Sequence, residues 1–345
     1  MDAETKLIKR IARAIPSETG AGKGRRRGTG GLRLGIGNDG AVLAPSGRTE
    51  WVLSCDAFLE GVHFLADRHP ADSVGFKSLA RATSDLVAMG AAPRYFLLTL
   101  ALPLRRTGAW LDDFLRGMAK ASRQLGIRLI GGDTKRHESV AISITVLGEI
   151  ARGLAVTRAG ARPGDILYVS GKLGRAELGL QMVKSGAVRP GQEGFKSRFL
   201  LLKQHYYPEI HVALGTWLAQ HRIPSAMMDI SDGLSTDLGR LCAASRVGAR
   251  VWAERIPRVE IPAAQSGLLK RLKLDPLQLA LHGGDDYELL FAAPRRKVKQ
   301  LRSAPGFSDL TAIGEIERGN QVMLVGTGGR VTRLVSGGWD PFRKK

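Results

Sequence analysis

Six aspartates in this chain sit beside glycines or at the ends of apolar runs. They are Asp39 in Gly35-Ile36-Gly37-Asn38-Asp39-Gly40, Asp56 closing Trp51 to Asp56, and Asp85 in the stretch Thr83 to Gly90. The others are Asp133 in Gly131-Gly132-Asp133-Thr134, and Asp229 and Asp232 in Met228-Asp229-Ile230-Ser231-Asp232-Gly233. Glycine lets a backbone or a ligand approach closely, and the ends of regular elements leave backbone groups unpaired. Carboxylates so placed are hard oxygen donors of the kind that suits Mg²⁺, which is usually held by carboxylates together with a substrate's phosphates. Lys135, Arg136 and Arg158 stand near them in sequence, and phosphoryl transfer depends mainly on positioning and charge neutralisation. No His and Cys grouping has zinc-like spacing, and no Gly-x-Ser-x-Gly elbow follows a strand, which sets a Ser-His-Asp hydrolase behind.

The elements that must position these residues alternate between strand and helix. Met227, Met228 and Ile230 read as a strand, and Leu234, Leu238 and Leu241 as a helix face, so Asp229 falls at a strand end and Asp232 at a helix start. Taken alone, the stretch is explained by Ser231 or Asp232 capping the helix; five other acids in similar settings make that insufficient. Pro70 to Met89 follows a helical pattern that carries Asp85 into an apolar helix end, where an unpaired carboxylate costs at least a few kcal/mol. Strands are expected at Tyr95 to Leu102, Arg128 to Ile130, Val140 to Ile150 and Ile166 to Ser170, and helices at Trp110 to Leu125, Gly174 to Val183 and Pro208 to Ala219. Gly186 to Ser197 reads as a loop. A second Gly-Gly-Asp, Gly283-Gly284-Asp285, precedes a strand. His63 stands alone in Leu59 to Phe64, and a lone histidine is more often structural than chemical.

Residues 17–33 are glycine-rich and basic but lack Walker A spacing, because Ser17 stands five residues before Gly22-Lys23 and Gly24 follows. The expectation is a mobile loop that closes over an anionic ligand. The whole chain of 345 residues, 43% hydrophobic and 24% charged, fits two domains of a globular enzyme, α/β or α+β, with a boundary near residue 151. No run approaches the roughly 20 apolar residues of a membrane span, and the charged, amphipathic start does not resemble a signal peptide. Two cysteines, Cys55 and Cys242, without metal or redox spacing fit a reducing compartment, so a cytoplasmic protein without membrane partners is expected. The net charge of +20 favours polyanionic partners. With no recognised nucleic-acid module, nucleic acid is not expected as the primary partner.

In order along the chain stand Gly-Ile-Gly-Asn-Asp, Ser54-Cys55-Asp56 with Glu60-Gly61-Val62-His63-Phe64, Lys77-Ser78-Leu79-Ala80, and Ser84-Asp85-Leu86-Val87-Ala88-Met89-Gly90-Ala91. Gly-Gly-Asp-Thr, Thr157 to Asp165, Met-Asp-Ile-Ser-Asp-Gly-Leu-Ser-Thr-Asp-Leu and Gly-Gly-Asp-Asp-Tyr-Glu-Leu-Leu-Phe follow. In this series the sequence resembles the thiamine-monophosphate kinase family, of the superfamily of aminoimidazole ribonucleotide synthetase, selenophosphate synthetase and a hydrogenase maturation factor.

The resemblance implies transfer of the γ-phosphoryl of ATP, assisted by several Mg²⁺ ions, onto thiamine monophosphate to give thiamine diphosphate. It implies two PurM-like α/β (α+β) domains, 1–150 for ATP, Mg²⁺ and dimerisation and 151–345 completing the nucleotide and substrate cleft, with the first domains pairing as a homodimer around a β-barrel core. The family's metal ligands fall on Asp39, Ser54, Cys55, Asp56, Asp85, Asp133, Asp229 and Asp232, among which Asp85, Asp133 and Asp232 are expected to be catalytic. Nucleotide contacts fall on Gly132, Asp133, Arg158 and Ser231, and substrate contacts on His63, Asp285 and Trp339. This sequence departs from the family at Asn38 for Asp, Cys55 for the common Thr, Asp285 for Glu and Trp339 for Tyr. The alternative is another ATP-dependent kinase or synthetase of the superfamily with a different phosphate acceptor. Its selenophosphate branch expects a reactive cysteine near the N-terminus, and no cysteine precedes Cys55.

Overall fold

In a computed structural model the described residues are 47–186, 195–261 and 266–340, with short pieces at 10, 13–15, 32–34 and 42–43. Asn38 and Asp39, residues 17–31 of the basic segment and the C-terminal basic residues Arg343 to Lys345 lie outside them. The chain divides into two compact units, Met1–Leu86 with Ala91–Ala155, and Val87–Gly90 with Val156–Lys345. Among the described residues no helix is long and apolar enough to cross a membrane.

A short antiparallel pair, β1 (Leu32–Leu34) and β2 (Val42–Leu43), precedes the main sheet of the first unit. That sheet has four strands, β3 (Thr49–Leu59), β4 (Ala92–Leu102), β5 (Arg128–Arg136) and β6 (Ala141–Ala151), in the order β3-β6-β4-β5. β6 pairs antiparallel with β3 and β4, while β4 and β5 are parallel, as their long helical connection requires. Helix α1 (Ala71–Ala88) covers one face, with α2 (Ala109–Leu125) packed on it. Along β3 the side chains alternate: Val52 and Phe58 are buried, whereas Leu53 and Leu59 on the other face are exposed. α2 stops at Gly126, whose left-handed φ of 66° lets its N–H reach the Ser122 carbonyl.

The second unit is built on a seven-stranded sheet of β7 (Ile166–Val169), β8 (Ala226–Ile230), β9 (Gly248–Trp252), β10 (Glu288–Ala293), β11 (Thr311–Glu317), β12 (Val322–Val325) and β13 (Val331–Arg333). Its order is β13-β12-β9-β11-β7-β10-β8. Helices α3 (Arg175–Lys184), α4 (Phe195–Tyr206), α5 (Val212–Gln220), α6 (Leu234–Ser245), α7 (Ser266–Leu272) and α8 (Pro276–His282) accompany it. One core joins Leu167, Val169, Met228, Ile230, Leu290 and Ile313 of the sheet to Leu234, Leu238 and Leu241 of α6. A second joins Leu178 and Met182 of α3 to Leu202 and Tyr206 of α4.

Three strands run on through acids at which the sequence suggested an end. Asp56 lies inside β3, paired with Ile144; Asp133 lies inside β5, paired with Thr99; and Asp229 lies inside β8, paired with Leu289. Aspartate is disfavoured in strands, and here cross-strand pairing overrides that preference. Residues 187–194 of the expected loop lie outside the described residues; its end at 195–197 and the expected helix start at 208 need correction. A helix, α4, starts at Phe195 and α5 starts at Val212, because Leu201, Leu202 and Tyr206 supply an apolar face that the core takes up.

Candidate functional site

The first unit gathers an oxygen-rich group where β3 faces α1. Ser54 and Asp56 alternate onto the helix-covered face, and Ser54 Oγ donates to Asp85 Oδ2 at 2.5 Å. One turn earlier on α1, Arg81 grips Asp56 with Nε at 2.6 Å and Nη2 at 3.1 Å, its guanidinium 5.3 Å from the Phe58 ring centre. Phe58 in turn stacks on His63 at 5.6 Å. The Leu59 N–H donates to His63 Nδ1 at 3.0 Å, which puts the ring proton of the neutral form on Nε2. Cys55 points the other way, its Sγ 3.6 Å from Ser143 Oγ. Asp133 shares that opposite face through its register with Thr99 and Ser143, and Lys135 Nζ lies 3.1 Å from its Oδ1. At Gly132 a Cβ would meet the Leu98 carbonyl oxygen at 1.9 Å, so only glycine passes there.

The second unit converges on the turn Ser231-Asp232-Gly233 between β8 and α6. Gly233 has φ 106°, and a Cβ on it would lie 2.9 Å from the His282 carbonyl, so glycine is required. The turn receives the Asp285 N–H on the Ser231 carbonyl at 2.8 Å and the Trp339 N–H on the Asp232 carbonyl at 3.0 Å. Asp285 is itself left-handed, φ 66°, and Tyr287 Oη donates to its Oδ1 at 2.6 Å. Asp229 is 3% exposed in β8. Behind the turn, Asp237 of α6 has no exposed surface, and burial, reinforced by the Asp232 charge against two backbone hydrogen bonds and Arg240, pushes its pKa up to about 6.

Elsewhere in the second unit a cavity of about 460 Å³ opens over Ser170, His211 and Glu288, with Lys172, Glu209 and Asp309 also in its lining. Glu288 Oε2 accepts from Ser170 Oγ at 2.6 Å and pairs with His211 Nε2 at 2.7 Å. Burial opposes the charge on His211, but the hydrogen bond to Glu288 and the charges of Glu288, Glu209 and Asp309 outweigh it and raise its pKa.

The family models for AIR synthase related protein match on residues 37–150 (N-terminal domain) and 162–326 (C-terminal domain). Thiamine-monophosphate kinase of Escherichia coli (strain K12) is 33% identical over 314 residues, covering 90% of this chain and 92% of that protein. The chain belongs to the thiamine-monophosphate kinase family. The crystal structure of thiamine-monophosphate kinase from Stenotrophomonas maltophilia K279a superposes with a TM-score of 0.78 at 35% identity, covering 96% of this chain and 98% of that one. AaThiL complexed with AMPPCP and TMP superposes with a TM-score of 0.74 at 29% identity, covering 87% and 89%.

Against the residues that the family resemblance singles out, the structure brings together Ser54, Asp56 and Asp85 in one unit, and Ser231, Asp232, Asp285 and Trp339 in the other. It does not bring Cys55 or Asp133 to the Ser54 face. Arg158 is exposed and its carbonyl accepts from Ser245 Oγ. Among the described residues no group of three His, Cys, Asp or Glu side chains is gathered as for a metal; Arg81, Lys135 and Arg240 meet the carboxylates instead. Apart from Cys55, whose thiol faces the other way, the donors are carboxylate and hydroxyl oxygens, which fits Mg²⁺ and not a thiophilic ion. Sequence reasoning missed Arg81, Asp237 and Arg240. The available signal was spacing: Arg81 stands one helical turn before Asp85, and Asp237 and Arg240 lie one apart on α6.

Proposed function

We propose that this protein transfers the γ-phosphoryl group of ATP to the phosphate of thiamine monophosphate, giving thiamine diphosphate and ADP. An oxygen of the acceptor phosphate forms the new bond to the γ phosphorus as the bond to the ADP oxygen breaks in line. That acceptor oxygen is already ionised at neutral pH, so no side chain has to remove a proton, in keeping with a site rich in aspartate and poor in histidine. The observation that carries the reading is the Ser231–Gly233 turn, on which Asp232, Asp285 and Trp339 converge in a chain of this family. The similar protein AaThiL has been solved with AMPPCP and TMP, which supports the same pair of substrates here.

In this reading Gly132, Asp133, Arg158 and Ser231 contact the nucleotide, and His63, Asp285 and Trp339 the thiamine monophosphate. Asp39, Ser54, Cys55, Asp56, Asp85, Asp133, Asp229 and Asp232 are the residues that would hold Mg²⁺. Bound Mg²⁺ supplies neutralisation of the charge on the phosphate oxygens. Asp85 keeps its carboxylate oriented through Ser54, and His63 offers Nε2–H as a donor. The same reading places the enzyme in the cytoplasm as a homodimer, paired through the open face of the four-stranded sheet so that two sheets close a barrel.

A coupled assay with ATP, Mg²⁺ and thiamine monophosphate tests the activity; well-folded protein that forms no diphosphate overturns it. Asp85→Asn is expected to lower kcat by roughly a hundredfold or more with an unchanged circular dichroism spectrum.

A further inference from the structure

Helix α6 begins without a capping side chain: its N-cap is Gly233, and neither Ser231 nor Asp232 takes that place. The work is done from inside the helix. Asp237, with no exposed surface, turns its carboxylate back over the first turn, and Oδ2 accepts the N–H groups of Ser231 at 3.1 Å and Asp232 at 2.9 Å. Its Oδ1 accepts from Arg240 Nη1 at 2.8 Å, and the same Nη1 donates to Asp232 Oδ2 at 2.5 Å. One guanidinium nitrogen therefore joins two carboxylates, one of them fixed and buried, the other 23% exposed.

We propose that Asp237 and Arg240 are the positioning pair of the Ser231–Asp232 turn, Asp237 fixing its backbone and Arg240 occupying the Asp232 carboxylate as a resident cation that a divalent ion displaces. The inference rests on the reading of Asp232 as a metal ligand. Three donors satisfy the Asp237 carboxylate, so it holds the turn without itself being offered to a ligand. Arg240 is different. Its side chain is 43% exposed, so it can leave the carboxylate for water, and while in place it cancels the charge that would attract a second cation. Removing Asp237 loosens the ligand, whereas removing Arg240 leaves two neighbouring carboxylates without their shared cation. The two substitutions thus push cation affinity in opposite directions, as the charge each removes requires; the readouts that positioning adds are recovery by Arg240→Lys and the rise in KM for Mg-ATP in Asp237→Asn.

The test is Mn²⁺ binding to the full chain without nucleotide, read from the electron paramagnetic resonance of the free ion, Mn²⁺ standing in for Mg²⁺ at oxygen ligands. Arg240→Gln is expected to tighten binding about fivefold, Arg240→Lys to restore the parent value, and Asp237→Asn to weaken binding by a similar factor while raising KM for Mg-ATP more than it lowers kcat. Equal weakening by Arg240→Gln and Asp237→Asn, no change in either, or a parent chain that binds no Mn²⁺ overturns the proposal. If Asp237→Asn does not fold, the Arg240 pair decides alone, a Gln variant no tighter than parent overturning it. Because no acceptor is present, an inactive kinase assay with the expected Mn²⁺ pattern leaves the pair standing and rejects only thiamine monophosphate as substrate.

Discussion

Asp286 has no exposed surface, yet its carboxylate takes the N–H of Gly174 on Oδ2 at 2.6 Å and of Ala176 on Oδ1 at 3.1 Å. It caps α3 from more than a hundred residues away and so pins the Gly-Gly-Asp-Asp loop that carries Asp285. Burial, with the charges of Glu288 and Asp285, pushes its pKa from 3.8 up to about 8 despite those two hydrogen bonds. A carboxyl that holds its proton more tightly when folded stabilises fully below the unfolded value of 3.8, and that contribution is lost as pH rises through about 8. Urea unfolding of the parent is therefore expected to lose stability between pH 5 and 9, and Asp286→Asn to flatten that dependence; parallel curves would show that Asp286 does not titrate in this range. In the sequence the flag was a neighbouring glycine at Asp133 and Asp232 and an apolar helix end at Asp85; the structure draws Asp85 to Ser54 and seats Asp232 in the Ser231–Gly233 turn, while Asp133 stands on the other face of its sheet. Asp237 reads as one more polar position of an amphipathic helix, because what makes it important is a backward reach over the helix N-terminus that composition does not display.

The same contrast holds for elements. Helices α1 and α2 and strand β4 were readable because each carries a clean apolar period, whereas the strands containing Asp56, Asp133 and Asp229 seemed to stop at a residue that only their partners make tolerable. Helix packing was hidden as well. Gly75 of α1 lies against the Phe114 carbonyl of α2, where a Cβ would stand 2.0 Å from the oxygen, and Gly117 of α2 lies against the Asp72 carbonyl, where it would stand 1.8 Å away. The two backbones touch at both places, and this close approach holds α1 at the depth from which Arg81 and Asp85 reach β3. Gly75→Ala and Gly117→Ala are each expected to cost about 1–3 kcal/mol or more, as overpacking does. Chemical denaturation would show it as a lowered midpoint. Because the shift of α1 also moves Asp85, kinase activity should fall in the surviving folded fraction; full specific activity there would mean that α1 can slide without disturbing Asp85.

For the molecule as a whole, the sequence announced a charge of +20 but not which surface stays open, since that depends on register. The face of the four-stranded sheet away from α1 bears Leu53, 60% exposed, and Leu59, 37% exposed, beside Trp51 and Leu97 packed on Tyr95, Ile130 and Leu147. Leu53 with Trp51, Leu97 and Leu147 makes an apolar patch at one end of that face, with Cys55, Ser143 and Asp133 further along it; such a patch marks a surface built to be covered, and a second copy of it is self-complementary about a two-fold axis. The proposed homodimer therefore makes a definite demand on Leu53, whose cross-strand partner is Leu147. Leu53→Glu would set a carboxylate from each copy into the paired faces, where burial without a cation is costly, while within one chain the side chain already stands in water. Light scattering should give the parent a mass twice the chain's 37.2 kDa and Leu53→Glu a mass equal to it, with the circular dichroism spectrum unchanged. A parent that runs at 37.2 kDa, or a Leu53→Glu variant that remains a dimer, would remove this face from the assembly.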